Sequence, residues 1–328
     1  MELKQLTALV TVAEAGSVTK AAERLRLVQP AVTRQIQMLE DELGVPLFVR
    51  SRQGMRTTDA GAVMVERARR ALIELERARA ELRQRETGPV TGIVTIGLLE
   101  SVIDLIATRL VARMKAAHPE VDLRVMTAYS GHLQQWLDQG DLDLSLLYNL
   151  STSPSIHVVP LLEEQLWATA TREAGLSPDS PVTWTDLCAR PLVLPVSGHG
   201  LRVLIDQALP HTGPEIRIAV ETNSLALQKK FVADGHGWTV LPAAGIAQDI
   251  ASGHLSGAPI SDPALSRQVV LGLPLTARTP PAVEAVAGVL IGLIDNLVRS
   301  GEWPSTRPLD WNASLPREQH RRPQDSSA

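Results

Sequence analysis

The sequence is poor in cysteine and has no long uninterrupted apolar run. Its 328 residues include one cysteine, Cys188, so no disulfide framework exists within the chain and a reducing compartment is expected. No signal peptide is evident at the N-terminus, which begins with an amphipathic segment. The most apolar stretch, Ala282–Leu297, is interrupted by Glu284 and Asp295, so no membrane span is expected. A soluble cytoplasmic protein is predicted.

The sequence also lacks the residue patterns of common catalytic and metal sites. The segment SGHG brings Ser197 close to His199, but it is not a G-x-S-x-G elbow and no third member is evident. The eight histidines include no H-E-x-x-H pattern and no close cysteine partner. We therefore expect no enzyme activity, no cofactor and no bound metal, and we expect Cys188 to be a buried structural thiol.

Length and charge divide the chain into unequal parts. A length of 328 residues predicts two or three domains, and a hydrophobic fraction of 44% is sufficient for substantial cores. Residues 1–87 contain 15 Lys and Arg against 12 Asp and Glu, whereas the remainder contains 17 against 24. A mildly basic head on an acidic body permits a polyanionic partner for the head but does not require one.

Three short helices are predicted in the first 44 residues. The first ends at Gly16, Ser17 caps the second, and the third runs from near Pro30 to Gly44. Apolar residues recur at helical spacing on the inward faces. They are Leu3, Leu6, Val10 and Ala13 in the first helix, Val18, Ala22 and Leu25 in the second, and Val32, Ile36, Leu39 and Leu43 in the third.

The second and third helices are joined so tightly that they should cross steeply, which would free the third to enter a major groove. Its polar side chains suit base edges. These candidates are Gln29, Thr33, Arg34 and Gln37. Candidates for phosphate contacts, from the second helix and a two-stranded wing over residues 45–57, are Ser17, Thr19, Lys20, Arg50, Arg52 and Arg56. The alternative from spacing alone is an ordinary three-helix bundle with solvated polar faces.

A long helix is predicted from Thr58 or Asp59 to about Arg85. Its apolar positions follow a heptad spacing flanked by Arg and Glu, which favours pairing with another helix over lying on its own domain. The heptad positions are Met64, Ala68, Ala71, Leu75, Ala78 and Leu82.

Strands and helices alternate after Gly88, which predicts a mostly parallel sheet in two α/β lobes with a cleft between them. Residues at the junctions between strands and helices lie where free backbone N–H groups favour a bound ligand. Those candidates are Leu99, Glu100, Ser101, Ser130, Tyr148, Ser197, His199, Arg202 and Thr222. Glu100 would repel an anionic effector unless it were paired, with Arg202 as one possible partner. Residues 301–328 are rich in Pro, Ser and charge, and disorder is predicted there.

Residues 1–65 closely resemble the winged helix-turn-helix domain of LysR-type transcriptional regulators. The resemblance is carried by the run GSVTKAAERLRLVQPAVTRQIQMLEDELGVPLFVRSRQGMRTTDAG. It implies that Gln29, Pro30, Thr33 and Arg34 read the operator. It also implies that Arg50 and Arg52 contact the DNA backbone and minor groove. Val28 and Thr33 depart from the family's usual small residue and serine, and the loss of one phosphate contact is expected at Val28.

The resemblance extends more weakly to about residue 300 and implies a two-lobed, type 2 periplasmic-binding-protein-like effector domain. The implied partners are an inverted-repeat operator in double-stranded DNA, a small-molecule effector, further copies of the chain in a homodimer or homotetramer, and RNA polymerase. The predicted domains are residues 1–58, the linker helix 59–87, and the effector domain 88–300, with lobe I at 90–163 and 266–300 and lobe II at 164–265. The alternative is a periplasmic-type small-molecule-binding module whose N-terminal helices serve only for assembly.

Overall fold

The computed structural model describes residues 1–51, 54–83, 88–209, 216–261, 263–275 and 279–310. The chain divides into two compact units, Met1–Gly92 and Ile93–Ala328. The elements of the first unit are α1 (Leu3–Ala15), α2 (Val18–Leu25), α3 (Gln29–Leu43), β1 (Phe48–Ser51), β2 (Gly54–Thr57) and α4 (Asp59–Arg83).

The three N-terminal helices end where the sequence predicts. Gly16 and Gly44 adopt left-handed backbone conformations at the ends of α1 and α3. The Ser17 hydroxyl accepts the Lys20 N–H at the start of α2, which confirms the predicted cap. Leu3 and Leu43 were predicted to face inward and are instead 43% and 40% exposed. Both are terminal helix residues, and the three-helix core does not extend far enough to cover them.

The long helix α4 divides its heptad positions between two environments. Met64 and Ala68 pack against the core of the N-terminal unit, so the first part of the predicted seam lies on its own domain. Farther along the helix, Ala71, Leu75 and Ala78 are exposed. The side chain of Leu82 is outside the part of the chain that the structure describes. Of the predicted heptad positions whose side chains are described, the exposed ones therefore run from Ala71 to Ala78.

The second unit alternates strands with helices, as predicted. Its first elements are β3 (Gly92–Leu99), α5 (Ile103–Ala117), β4 (Val121–Ala128), α6 (Ser130–Asp138), β5 (Leu144–Tyr148), β6 (Ile156–Thr171), β7 (Val182–Thr183), α7 (Trp184–Cys188) and β8 (Leu192–Pro195). They are followed by α8 (Gly200–Ala208), β9 (Ile218–Thr222), α9 (Leu225–Ala233), β10 (Thr239–Pro242), α10 (Ala243–Ala251), β11 (Leu255–Ser261), β12 (Ser266–Pro274), α11 (Pro281–Arg299) and β13 (Thr306–Pro308).

The largest sheet is mixed rather than mostly parallel. Its order is β4-β3-β5-β12-β6-β11-β7, and β10 and β13 also pair with β6. β3 and β5 are parallel, but β12 pairs antiparallel with both β5 and β6. The prediction of a mostly parallel sheet was wrong here because β6 is a 16-residue strand that serves two regions. It pairs with β12 over Ile156–Gln165 and with β10 and β11 beyond that point.

The C-terminal segment corrects a further prediction. Residues 301–310 were expected to be disordered, but β13 pairs antiparallel with β6 and Trp303 is only 1% exposed. Average composition suggested disorder, whereas one large apolar side chain and one short strand are enough to anchor the segment. Residues 311–328 lie outside the described residues.

Helix α11 is long and apolar enough to cross a membrane by length and composition alone. Half of that apolar window is buried inside the unit, and a packed core helix passes the same test.

Cys188 is buried, and burial raises the pKa of its thiol, so the sulfur stays protonated at neutral pH.

Candidate functional site

The outward face of α3 is the first candidate site. Val32, Ile36 and Leu39 are buried on one side of the helix, whereas Arg34 and Gln37 are exposed on the other. The same sequence period that builds the core therefore presents a polar face to solvent. Gln29 and Pro30, at the N-terminal end of α3, are also exposed.

The turn between α2 and α3 is short and fixed by backbone geometry. Arg26 ends α2 in a left-handed conformation with φ of 54°. The Thr19 hydroxyl donates to Gln29 Oε1 at 3.4 Å, which joins the two helices across the turn. The Thr33 hydroxyl donates to the Gln29 carbonyl at 3.1 Å, a contact within the first turn of α3. Lys20 and Arg56 are exposed beside these elements.

The wing is held against α3 by one carboxylate. Glu40 Oε1 accepts the backbone N–H groups of Leu47 and Phe48 at 2.7 and 3.1 Å. This contact fixes where β1 begins relative to α3 and its exposed polar face. The Arg50 side chain and the whole of Arg52 lie outside the described residues, so their predicted DNA contacts stay predictions.

The second candidate site lies where the long strands cross in the second unit. Arg267 on β12 and Glu164 on β6 are direct cross-strand partners, and Arg267 Nε donates to Glu164 Oε1 at 2.7 Å. Their side chains are 4% and 1% exposed. An ion pair this deeply buried needs further hydrogen bonds to offset the desolvation of both charges.

Those hydrogen bonds reach the predicted strand-end residues. Arg267 Nη2 donates to Ser101 Oγ at 3.2 Å, and Ser101 Oγ lies 2.5 Å from the Tyr148 hydroxyl. The Arg267 guanidinium carbon lies 3.4 Å from the centroid of the Tyr148 ring, a stacked cation–π contact. Burial raises the pKa of Tyr148, so its phenol stays protonated. Ser130 Oγ accepts the Tyr148 backbone N–H at 2.9 Å.

His199 extends this cluster from the start of α8. Its ring contacts Tyr129 edge to face, with centroids 4.3 Å apart. Burial, aided by the charge of Arg267, lowers the pKa of His199 to about 4, so the imidazole is neutral at physiological pH. Its Nδ1 accepts the Leu201 N–H, which leaves the proton on Nε2. Among the described residues, this buried Nε2 has no hydrogen-bond partner.

The other predicted effector contacts lie in different surroundings. Leu99 is 1% exposed and belongs to the core, because the end of β3 points it inward. Arg202 pairs with Asp206 and Glu221, so the suggested pairing with Glu100 was wrong. Glu100 is half-buried. The burial of Tyr129 and the nearby negative charge of Glu100 raise the pKa of the Tyr129 hydroxyl to about 12.

Ser197 and Thr222 complete the set of predicted contacts. Ser197 is exposed, and the Thr222 hydroxyl accepts the Ser224 N–H at the start of α9, which is a local turn contact. Sequence reasoning therefore found Ser101, Ser130, Tyr148 and His199 as neighbours of one cluster. It missed Arg267, Glu164 and Tyr129, although a charged residue at an inward strand position was a usable signal. It also missed Trp303, whose indole N–H donates to Glu164 Oε2.

Comparison with known proteins assigns both units. The family model described as "Bacterial regulatory helix-turn-helix protein, lysR family" matches residues 3–62. The family model described as "LysR substrate binding domain" matches residues 87–293, more than half of the chain. The chain belongs to the LysR family. It is a DNA-binding transcriptional regulator with an effector-binding domain, and not an enzyme. The alternative of a binding module with assembly helices is thereby set aside.

LysR-family relatives match along most of the chain. HTH-type transcriptional regulator BbuR of Bordetella bronchiseptica is 29% identical over 293 residues, which covers 89% of this chain and 90% of that protein. A probable nitrogen assimilation transcriptional activator of Synechococcus elongatus is 31% identical and covers 86% of this chain and 92% of its own.

Solved structures support the fold. A full-length OxyR variant from Pseudomonas aeruginosa has a TM-score of 0.67 at 25% identity, covering 90% of this chain and 94% of its own. CbnR complexed with its target DNA has a TM-score of 0.65 at 23% identity, covering 89% of this chain and 100% of its own. The predicted fold class, a winged helix-turn-helix followed by a two-lobed, type 2 periplasmic-binding-protein-like domain, is confirmed.

Proposed function

We propose that this LysR-family regulator reads an inverted-repeat operator in the cytoplasm through α3 of paired subunits. The observation that carries the proposal is the division of α3 into a buried apolar face and an exposed face bearing Pro30, Arg34 and Gln37. The planar Arg34 guanidinium matches the two acceptors of guanine, and the Gln37 amide matches adenine. Lys20 and Arg56 are proposed to contact phosphates and so set the register on the duplex.

Replacing Arg34 with alanine is expected to weaken binding to the preferred site by about 1–3 kcal/mol and to relax the sequence preference at one base pair. Fluorescence anisotropy with the preferred duplex and a scrambled duplex measures both effects. Lys20→Ala is the matched control, because losing a phosphate contact should weaken binding to every duplex equally and reduce the salt slope by about 1. An equal loss on both duplexes for Arg34→Ala would make Arg34 a phosphate contact.

Subunit pairing is proposed to use the second half of α4. Ala71, Leu75 and Ala78 are exposed at positions four and three residues apart, with charged neighbours, which is the pattern of a helix-pairing seam. Two such pairs would give the homotetramer that the family resemblance implies, with RNA polymerase as a further partner.

Leu75→Glu should dissociate the pair at micromolar concentration, because two like charges would face each other across an apolar seam. Multi-angle light scattering measures the mass directly. Glu66→Gln serves as the control and should keep the wild-type mass, because Glu66 is exposed and lies on the opposite side of the helix from Leu75. An unchanged mass for Leu75→Glu would place the subunit interface elsewhere.

The effector is proposed to bind beside the Arg267 cluster. The charge of Arg267 is balanced by Glu164, and His199 is neutral, so the cluster itself carries no net charge. The protonated Nε2 of His199 calls for a hydrogen-bond acceptor. We therefore infer an effector with acceptor oxygen atoms rather than one selected by full negative charge. The effector would shift the equilibrium between two conformations of the regulator by the difference in its binding free energy for them, on the order of 1–3 kcal/mol.

A further inference from the structure

We propose that the C-terminal segment, residues 301–310, contributes to the effector site by holding Trp303 in place. Trp303 acts as a positioning residue for Arg267. The proposal rests on the assignment of the Arg267 cluster as the effector site. The segment begins beyond residue 293, where the match to the family's effector domain ends.

The segment is anchored along β6 next to Glu164. Thr306 pairs with Glu164 in the β13–β6 register, and the Gln165 N–H donates to the Ser305 carbonyl at 2.9 Å. Glu164 is thus flanked by β12 on one side and by β13 on the other. Arg307 adds an ion pair with Glu163 at 2.5 Å. These contacts fix the backbone on which Trp303 depends.

Trp303 completes the hydrogen bonding of the Glu164 carboxylate. Its indole Nε1 donates to Glu164 Oε2 at 3.1 Å, while Glu164 Oε1 accepts from Arg267. Trp303 is 1% exposed, and its backbone N–H donates to the Leu297 carbonyl at the end of α11. Each carboxylate oxygen therefore has its own donor, one from β12 and one from the bend that precedes β13.

This division determines how Arg267 is aimed. Because Oε2 is occupied by Trp303, Glu164 binds Arg267 through Oε1 and Nε, and Nη2 remains available for Ser101 at 3.2 Å. Without the indole donor, Oε2 would be a buried acceptor lacking its partner. Arg and carboxylate groups favour two parallel hydrogen bonds, so the guanidinium would turn toward Glu164. Such a turn would withdraw it from Ser101 and from the Tyr148 ring.

The chain offers a direct probe, because it contains only two tyrosines and both lie in this region. Tyr148 stacks against Arg267, and Tyr129 contacts His199. The full-length protein labelled with 3-fluorotyrosine should give two ¹⁹F signals, which Tyr129→Phe assigns. We expect Trp303→Phe to displace the Tyr148 signal and to move the Tyr129 signal less, since the relay runs through Arg267.

Trp184→Phe is the matched control. Trp184 is 2% exposed and donates its indole N–H to the Pro263 carbonyl at 2.9 Å, so the substitution removes the same atoms and one similar hydrogen bond. It packs in a hydrophobic cluster with Leu187 and Leu192, and its replacement should leave the Tyr148 signal unmoved. An unmoved Tyr148 signal in folded Trp303→Phe would overturn the proposal.

A second variant separates the hydrogen bond from packing and is less prone to misfolding. Benzothienylalanine incorporated at position 303 keeps the shape of tryptophan but replaces the N–H with sulfur. It should displace the Tyr148 signal in the same direction as Trp303→Phe. Displacement by phenylalanine alone would mean that Trp303 acts through packing, which contradicts the positioning role. Neither experiment involves DNA or an effector, so an unmoved Tyr148 signal would contradict the positioning role of Trp303 and is distinguishable from a failure of the proposed function.

Discussion

Replacing Arg267 with alanine should lower the free energy of unfolding of the second unit by about 3–5 kcal/mol. The reason is that Glu164 is 1% exposed and would keep a buried charge without its cationic partner. Urea unfolding followed by tryptophan fluorescence measures this unit selectively, because all six tryptophans lie after residue 92. The magnitude is large relative to the total stability of a typical domain.

Two comparison variants define what the loss means. Arg307→Ala removes an exposed pair with Glu163, since Arg307 is 71% exposed, and should cost about 0–1 kcal/mol. Joint replacement of Arg267 with Met and Glu164 with Leu removes both charges and should restore part of the stability, while the buried indole N–H of Trp303 loses its acceptor. If Arg267→Ala cost no more than Arg307→Ala, the buried pair would not be a determinant of this fold.

The double replacement also separates stability from effector response. A folded protein that has lost Arg267 should lose the thermal shift given by any compound that stabilises the wild type, because the donor to Ser101 is gone. A full thermal shift in the folded double variant would place the effector outside this cluster.

Gly61→Ala should destabilise the N-terminal unit by about 1–3 kcal/mol or more, because an added Cβ would lie 1.9 Å from the Leu47 carbonyl oxygen. The first turn of α4 is held against the segment before β1 by Thr58, whose hydroxyl donates to the Pro46 carbonyl and accepts the Gly61 N–H. The clash must move either the helix or the wing. Circular dichroism is the appropriate probe, since this unit contains neither Trp nor Tyr.

Gly288→Ala is the matched control for this prediction. Gly288 also lies in a helix, but an added Cβ would meet no atom within 4 Å. There the substitution should stabilise by roughly 0.5–1 kcal/mol, because alanine loses less backbone entropy than glycine in a helix. A Gly61→Ala variant as stable as wild type would show that the close approach of α4 to Leu47 relaxes without cost.

Local signals in the sequence were sufficient for most elements. The bounds of α3 follow from Pro30, Gly44 and an apolar stripe between them, all of which act within a few turns of helix. Two errors lie at helix ends, where Leu3 and Leu43 fit the helical period but extend beyond the core they were expected to join. Helical periodicity identifies a face, and only the tertiary fold determines how far the core covers it.

Non-local pairing explains what was missed in the site. Ser101 and Tyr148 were found because they follow strands, and strand ends can be read from the sequence. Glu164 and Arg267 lie within strands and meet across 103 residues of chain, which no local pattern reports. Glu164 does alternate with the buried Leu162 and Leu166, so an acidic residue at an inward position was the available signal. Trp303 was not predicted because residues 301–328 are on average rich in Pro, Ser and charge, and that composition indicated disorder.

The central claim is that the exposed face of α3 reads a DNA sequence, and selection from a random double-stranded library tests it most directly. The full-length protein should enrich an inverted repeat, and its affinity for that site should fall steeply as salt increases, because phosphate contacts release counterions. Arg34→Ala should enrich a repeat with one position relaxed. A selected pool no different from the starting library at low salt would contradict the account.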